Sequence, residues 1–309
     1  MTSSADNGVT MVVNPAANRG RSLAIAQSVV DAWDDPTPIR LVVPAGGPGS
    51  SVTALREAAA DSASVWVCGG DGMVNLAVNV LAGSDIPLGI VPAGTGNDAA
   101  ALAGIGRDPV VAARALLGAM KSGSVHRVDL GRCDGRAVIP GASGRWFLGM
   151  LYAGFDSAVN ERANMLRRPR GPAKYNIAIA LEMLRLRAVD LTLHLDGSEI
   201  RSPATLVAVG NGSRYGGGKI MVPNARWDDG TFDVTLVGPV SRRTLARLAP
   251  TLPRAGHIGH PAVHTFRARE VRIDAAGPIG YADGERVGPL PLSATCVPQT
   301  LSLLVPRKS

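Results

Sequence analysis

Ser64-Val65-Trp66-Val67-Cys68 is a short apolar run that ends in Gly69-Gly70-Asp71-Gly72 and passes into a stretch of helical character. A run of this length, rich in Val and closed by paired glycines, reads as a strand that turns directly into a helix. The rhythm recurs on both sides: Thr10–Asn14, Ile39–Val43, Pro87–Val91 and His126–Leu130 are similar runs, separated by Ala-rich helical stretches. Strand and helix in alternation predict a parallel sheet with helices on both faces. From Arg136 onward the pattern changes to period-two alternation, in Asp190–Leu195, Phe232–Val237 and Val271–Asp274, between Gly, Pro and Asp turns. That half is expected to be antiparallel β-structure with a few helices. The expected domains are 1–134 and 135–297. The last run, Thr300–Val305, either pairs locally or returns, so that 298–309 completes the first domain.

The chain has 309 residues, enough for two domains at about 150 each. With 46% hydrophobic and 18% charged residues it is a folded protein, which excludes collagen-like, coiled-coil, low-complexity and disordered classes. Apolar stretches such as Val110–Met120 stop well short of the ~20 residues of a membrane span. Met1–Thr10 lacks the basic and apolar regions of a secretory signal, so a cytoplasmic location is expected. Cys68, Cys133 and Cys296 are far apart and read as buried reduced thiols. The 32 Lys and Arg against 25 Asp and Glu give a net charge of +7, which favours anionic partners. Aromatic residues are only 4% of the chain, so the stacking platforms of nucleic-acid binders are thinly supplied and no nucleic-acid partner is expected.

Ligands of open parallel sheets sit at the carboxyl ends of strands. The loops there are Asn14-Pro15-Ala16-Ala17-Asn18-Arg19-Gly20-Arg21, Gly69–Gly72, Pro92-Ala93-Gly94-Thr95-Gly96-Asn97-Asp98 and Asp129-Leu130-Gly131. Glycine loops that open helices accept phosphate on backbone N–H groups, and acids beside them (Asp71, Asp98, Asp129) imply a divalent cation. The combination points to a nucleotide with magnesium. Gly94–Ala99 also fits a dinucleotide fingerprint, but Pro109–Val128 lacks the acid that a ribose contact needs, and Gly69–Gly72 is left unexplained. No GKS or GKT occurs, which excludes a Walker A loop.

These loops, together with Gly154-Phe155-Asp156, Asn211-Gly212, Gly216–Lys219, Trp227-Asp228-Asp229-Gly230 and Asp283-Gly284-Glu285, resemble the diacylglycerol kinase catalytic-domain family, specifically its soluble bacterial lipid kinases. The resemblance extends over nearly the whole chain. NAD kinases are similar at Gly69–Gly72, but Pro92–Asp98 matches the lipid-kinase pattern better. It implies an N-terminal α/β nucleotide domain of phosphofructokinase type, a C-terminal β-sandwich-like lipid-substrate domain, and an active site in the cleft between them. It implies ATP bound by Asn14, Gly69, Gly70, Asp71, Gly72, Met73, Val74, Asn75, Gly94, Thr95 and Asn97. It further implies that Asp283 is the general base for a lipid hydroxyl, supported by Glu285. Asp71, Asp98 and Asp129 would form a catalytic Mg2+ network, and Asp229, with the carbonyls of Arg226 and Thr231, a structural Mg2+ site. Asp-Gly is also the strongest hairpin signal, so a tight turn is the competing account of Asp283-Gly284 and Asp229-Gly230.

Three positions depart from the family pattern: Met73 stands where a Thr is usual, Leu76 where an acid is usual, and Val43-Pro44 where a Thr is common. They define the alternative function, a weak or silent member that binds nucleotide or lipid. Between Arg162 and Arg187, the cations Arg162, Arg167, Arg168, Arg170, Lys174, Arg185 and Arg187 face the single acid Glu182, and Ile177, Leu181 and Leu184 recur at helical spacing. This segment is either a peripheral docking surface for anionic lipid at the inner face of the membrane or a solvated helix packing its stripe on the core. His257, His260 and His264, with Pro261 among them, read as loop histidines rather than a zinc site. A homodimer stays open.

Overall fold

The computed structural model describes residues 6–15, 17–135, 137–139, 142, 144–166, 168 and 172–307. The chain divides into two compact units, one of Met1–Leu130, Val138–Gly141 and Val297–Ser309, the other of Gly131–Ala137 and Ala142–Cys296.

The first unit alternates as its sequence predicts. Its elements are β1 (Asp6–Val13), α1 (Arg21–Asp31), β2 (Ile39–Val42), α2 (Gly47–Asp61), β3 (Ser62–Gly69), α3 (Asp71–Leu81), β4 (Leu88–Pro92), α4 (Asp98–Leu102), α5 (Pro109–Lys121) and β5 (Val125–Cys133). The strands pair in the order β2-β1-β3-β4, parallel throughout. The last residues of the chain return to this unit, where Leu303 pairs in parallel with Leu88 of β4. Residues 64–69 of β3 and all of β4 are buried, which is why their sequences are continuous apolar runs. Trp66 is fully buried, its indole N–H donating to Ser64 and its ring meeting the edge of Trp33 at 5.7 Å. Gly89 makes room for it, since a Cβ there would lie 2.5 Å from the indole.

The second unit contains β6 (Arg145–Phe147), β7 (Met150–Gly154), α6 (Phe155–Met165), α7 (Pro172–Leu184), β8 (Val189–Leu195), β9 (Ser198–Ala204), β10 (Leu206–Gly210), β11 (Arg214–Tyr215), β12 (Lys219–Ile220), β13 (Phe232–Val237), α8 (Arg242–Leu248), β14 (Val263–Ala268), β15 (Glu270–Asp274), β16 (Ile279–Ala282), β17 (Glu285–Pro289) and the start of β18 (Leu292–Leu304). One antiparallel sheet runs β14-β13-β10-β7-β16-β17, and a second runs β9-β8-β15 and on to the first residues of β18. Alternate residues point to opposite faces of a strand. Thus Leu151, Ala153, Val207, Val209, Val234 and Leu236 from the first sheet meet Leu193, Leu195, Val271, Ile273 and Ala294 from the second, forming the sandwich core. Their neighbours Met150, Tyr152, Leu206 and Ala208 form another cluster with Met221 and Tyr281. Phe147 stacks on Phe232 at 5.7 Å.

All three cysteines are free and buried. Burial pushes the Cys68 and Cys133 thiols up to about 12, so neither is a thiolate at neutral pH. The native protein should therefore be inert to a chromogenic disulfide reagent and release three equivalents of thiol only in denaturant; fast native labelling at Cys68 or Cys133 would contradict the packing.

His257 is buried, its Nε2–H donating to the Met221 carbonyl at 2.9 Å while Nδ1 has no partner. Desolvation lowers its pKa below the ordinary 6.5, so the native ring stays neutral where an unfolded one takes a proton. Stability then falls as pH drops through 6.5 toward the native value. Melting temperature measured across about one pH unit either side of 6.5 should fall on the acid side, and His257→Gln, which keeps a donor for Met221, should lose that part of the decline.

Candidate active site

In the first unit two loops converge. Gly70 is the extended N-terminal cap of α3 and, being a glycine, caps the helix with no side chain; its carbonyl accepts the Met73 N–H at 2.9 Å. The Ala93 N–H donates to the Gly69 carbonyl at 2.9 Å, tying the ends of β3 and β4 together. Here two backbones touch: a Cβ on Gly94 would sit 2.4 Å from the Gly70 Cα. The 92–98 loop is held by Asn97, whose backbone is left-handed (φ 57°) and whose amide both accepts from the Gly94 N–H and donates to the Gly94 carbonyl, each at 2.9 Å. Asp71 closes the arrangement, its Oδ1 accepting the Ala99 N–H at 3.1 Å. Gly69, Gly70, Asp71, Gly94, Asn97 and the start of α4 at Asp98 are therefore one constellation, with Thr95 in its loop.

Met73 is buried with Val74 and Asn75 on the inner side of α3. A methionine thus replaces the usual threonine by joining the core. Asp129 is 1% exposed, and its Oδ1 accepts the Gln299 N–H at 2.8 Å where the backbone turns left-handed. Asn14 directly follows β1, and its carbonyl accepts the Ala17 N–H at 3.1 Å. Among the described residues no three His, Cys, Asp or Glu side chains form a metal-binding group, so Asp71, Asp98 and Asp129 are no preassembled triad and His257, His260 and His264 do not converge. Magnesium needs no such triad, because it keeps several waters and takes ligands from substrate phosphates with one or two carboxylates.

In the second unit Asp283 and Gly284 are the centre of the β16–β17 hairpin, with φ of 49° and 84°. The tight turn and the Asp283-Gly284 motif are the same object. The left-handed backbone aims the Asp283 carboxylate at the entrance of β7, where Oδ2 accepts the Leu148 N–H at 2.8 Å and Oδ1 accepts those of Gly149 and Met150 at 2.9 and 3.0 Å. That segment is fixed from its other side by Asn211. Its amide donates to the Leu148 carbonyl at 2.8 Å, and the N–H groups of Asn211 and Gly212 both reach the Gly149 carbonyl. The Cys296 thiol in turn donates to Oδ1 of the Asn211 side chain. Glu285 is exposed at the start of β17.

Sequence reasoning missed a polar and aromatic cluster between α6 and the first sheet. Tyr152 stacks on Tyr281 at 6.0 Å and lies 5.7 Å from Tyr215. From α6, Asp156 accepts the Tyr215 hydroxyl, Asn160 donates to Tyr152, Asn164 donates to Tyr281, and Glu161 takes the Tyr281 hydroxyl and Arg286. Burial raises the Tyr152 and Tyr281 pKa values, so both phenols stay protonated. The signal was present in Asp156, Asn160 and Asn164, a polar stripe at four-residue spacing on an otherwise mixed helix. At the third site, Asp229 Oδ1 accepts the Thr231 N–H and hydroxyl, and Arg267 donates to its Oδ2. Arg226 pairs with Asp228. A metal ion at Asp229 would have to displace the Arg267 guanidinium.

Residues 8–133 match the model of the diacylglycerol kinase catalytic domain, and 149–305 match that of the YegS C-terminal NAD kinase beta sandwich-like domain. A diacylglycerol kinase of Mycobacterium tuberculosis is 39% identical over 302 residues, 97% of this chain and 95% of that one. The chain belongs to the diacylglycerol kinase catalytic-domain family. Its members are lipid kinases that use ATP as phosphate donor, and this lipid kinase is also 28% identical to a diacylglycerol kinase of Staphylococcus carnosus over 83% of its length and 80% of the relative's. The fold of a diacylglycerol kinase structure from Bacillus anthracis superposes on it with a TM-score of 0.68 over 97% of both chains at 20% identity.

The close seat of Asp283 makes Gly149 a sensitive position in this lipid kinase. A Cβ there would lie 2.9 Å from Oδ1. Gly149→Ala should displace the carboxylate and lower kcat by about 10²-fold, the scale of an ångström misplacement, with KM for ATP unchanged. Steady-state kinetics check this, and an unaltered kcat would show that the seat is not needed for turnover.

Proposed function

We propose that the protein transfers the γ-phosphate of ATP to the free hydroxyl of diacylglycerol, with Mg2+ as the metal. What carries the reading is the paired loops of the first unit, where the glycine backbones at 70 and 94 meet at the start of α3, whose N-cap is a glycine. A helix start whose N-cap is a glycine, with a second glycine backbone close beside it, suits polyphosphate. Gly69–Asn75, Thr95 and Asn97 hold the phosphates, with Asn14 at the neighbouring strand end. Asp71 and Asp98, at the starts of two adjacent helices, are the carboxylates that would hold magnesium, and Asp129 would complete the network. The ion would offset the charge of the phosphate oxygens.

Asp283 accepts the proton of the lipid hydroxyl as the new O–P bond forms, and its N–H seat keeps the carboxylate aimed. Glu285 supports it from the next position but one. Asp229, with the carbonyls of Arg226 and Thr231, would take a second, structural magnesium ion once Arg267 releases it. Diacylglycerol as acceptor follows the names of the M. tuberculosis and S. carnosus relatives. The protein works in the cytoplasm, at the membrane that holds its acceptor. The silent-member alternative is not favoured, since Met73 departs toward the core and leaves the backbone donors of the loop in place.

Transfer of radiolabelled γ-phosphate to diacylglycerol dispersed in detergent micelles, with and without magnesium, tests this. The wild type should label the lipid, and Asp283→Asn should lose about 10²-fold or more, as expected for removal of a general base. Full labelling by Asp283→Asn would remove Asp283 from the chemistry, and labelling of another lipid alone would replace the acceptor.

A further inference from the structure

The hairpin that presents Asp283 stands at the edge of its sheet. β17 ends the order β14-β13-β10-β7-β16-β17, and among the described residues β16 is its one strand partner. The regular ladder also stops short of the turn. Gly280 pairs with Gly288 but Tyr281 pairs with Arg286, which leaves Val287 as an extra residue on β17. A bulge of this kind bends its strand and disrupts the ladder locally. Past it only two cross-strand pairs, Tyr281 with Arg286 and Ala282 with Glu285, lead to the Asp283-Gly284 turn. A carboxylate on so short a tip needs an anchor outside the hairpin.

α6 supplies one. Oε1 of Glu161 accepts the Tyr281 hydroxyl from β16 and, at 2.9 Å, the Arg286 Nε–H from β17. These two donors are the cross-strand pair next to the bulge, so a single oxygen bridges both strands just below the turn. Tyr281 is fully buried, and Asn164, one turn further along α6, donates to the same hydroxyl. Beyond the end of the helix, Arg167 and Arg170 lie outside the described residues, and the anchor belongs to α6 itself.

The anchor and the seat of Asp283 share one stretch of chain. Leu148, Gly149 and Met150 give the N–H groups that hold the carboxylate, β7 runs on to Gly154, and α6 starts at the next residue. Gly154 makes the corner with φ of 101°, so close to the neighbouring strand that a Cβ would lie 2.6 Å from the Thr205 carbonyl oxygen. Ser157 then ties the first turn of the helix, its hydroxyl accepting the Gly154 N–H at 3.1 Å and donating to the Gly154 carbonyl at 2.9 Å. This corner sets the distance between the N–H seat and Glu161, and the hairpin is gripped at both.

We propose that Glu161 is a positioning residue of this lipid kinase: by bridging Tyr281 and Arg286 it fixes the tip of the β16–β17 hairpin and keeps the Asp283 carboxylate on its seat, aimed at the acceptor hydroxyl. The proposal rests on the reading of Asp283 as the general base.

Two measurements on the full chain test it: phosphate transfer from ATP to diacylglycerol in micelles, and hydrogen exchange of the 148–150 amides, read by mass spectrometry on peptides that span them. Glu161→Ala should lower kcat by about 10-fold to 10²-fold, the range that a misplacement of up to an ångström reaches, with KM for ATP unchanged. It should also speed exchange at 148–150, because the amides lose a fixed acceptor. Glu161→Gln keeps an oxygen for both donors and should restore kcat and slow exchange. In an Asp283→Asn background Glu161→Ala should cost nothing further, since a residue that acts through the carboxylate then has nothing left to position. Unchanged kcat or unchanged exchange in Glu161→Ala, a Gln variant as impaired as the Ala one, or a second full loss in the Asp283→Asn background would overturn the role of Glu161 and leave the base reading intact. Full transfer by Asp283→Asn would remove the base reading, and the role of Glu161 with it. Should Glu161→Ala fail to fold by circular dichroism, Tyr281→Phe, which deletes one of the two donors, should lower kcat and speed exchange in the same direction, and wild-type values there would equally overturn the proposal.

Discussion

Two glycine backbones in contact, Gly70 at the end of one parallel strand and Gly94 at the end of the next, constrain much of the first unit. Adjacent strands of a sheet lie about 4.8 Å apart, and the loops that leave them diverge unless side chains are absent. Here they are absent on both sides. The Ala93–Gly69 hydrogen bond and the Asp71–Ala99 hydrogen bond then hold the starts of α3 and α4 side by side. Two helix starts held together concentrate N–H groups and carboxylates in one small region, which no single loop supplies. Everything nearby follows from keeping that approach: the left-handed Asn97 that folds its loop back, and the buried Met73 that anchors the first turn from beneath.

The second unit solves a related problem with a hairpin. A two-residue turn with both φ values positive strains any residue but Gly, Asn or Asp. Asp283 accepts that conformation because its carboxylate gains three backbone donors from 148–150. Asn211 then explains itself: it holds the carbonyls of the segment whose N–H groups hold Asp283. The chain binds one strand entrance from two directions, and the carboxylate between them has little freedom. Orientation of this kind lowers the entropy cost of a reaction before any charge is moved.

Much of the first unit was legible because burial on both faces of a parallel sheet writes continuous apolar runs, as in β3 and β4. The same burial hid the centre of the second unit. Residues 150–153 of β7 and all of β10 are buried, so they show none of the alternation that marked β8 and β15. The site motifs were legible as residues but not as contacts. Asp283 and Gly149 are 134 positions apart, and Asp129 and Gln299 are 170 apart, and no local pattern announces such pairs. For the same reason the tyrosine cluster escaped notice: Tyr152, Tyr215 and Tyr281 lie on three separate strands and meet only in the folded chain, where α6 also reaches all three. Whether Thr300–Val305 paired locally or returned to the first unit was equally a matter of partner, not of propensity.

The departures at Met73 and Leu76 bear on how such a site tolerates change. Recognition by backbone N–H groups depends on the path of the chain rather than on which side chains it carries, provided that none intrudes. Glycine is needed where a Cβ would collide, as at Gly70 and Gly94, while the next residue is free to serve the core. A threonine hydroxyl lost at position 73 removes one contact of about 1 kcal/mol. A side chain gained at Gly94 would separate the two loops outright. The two glycines therefore matter more to these loops than the residue at position 73, because main-chain geometry, and not any one side chain there, shapes them.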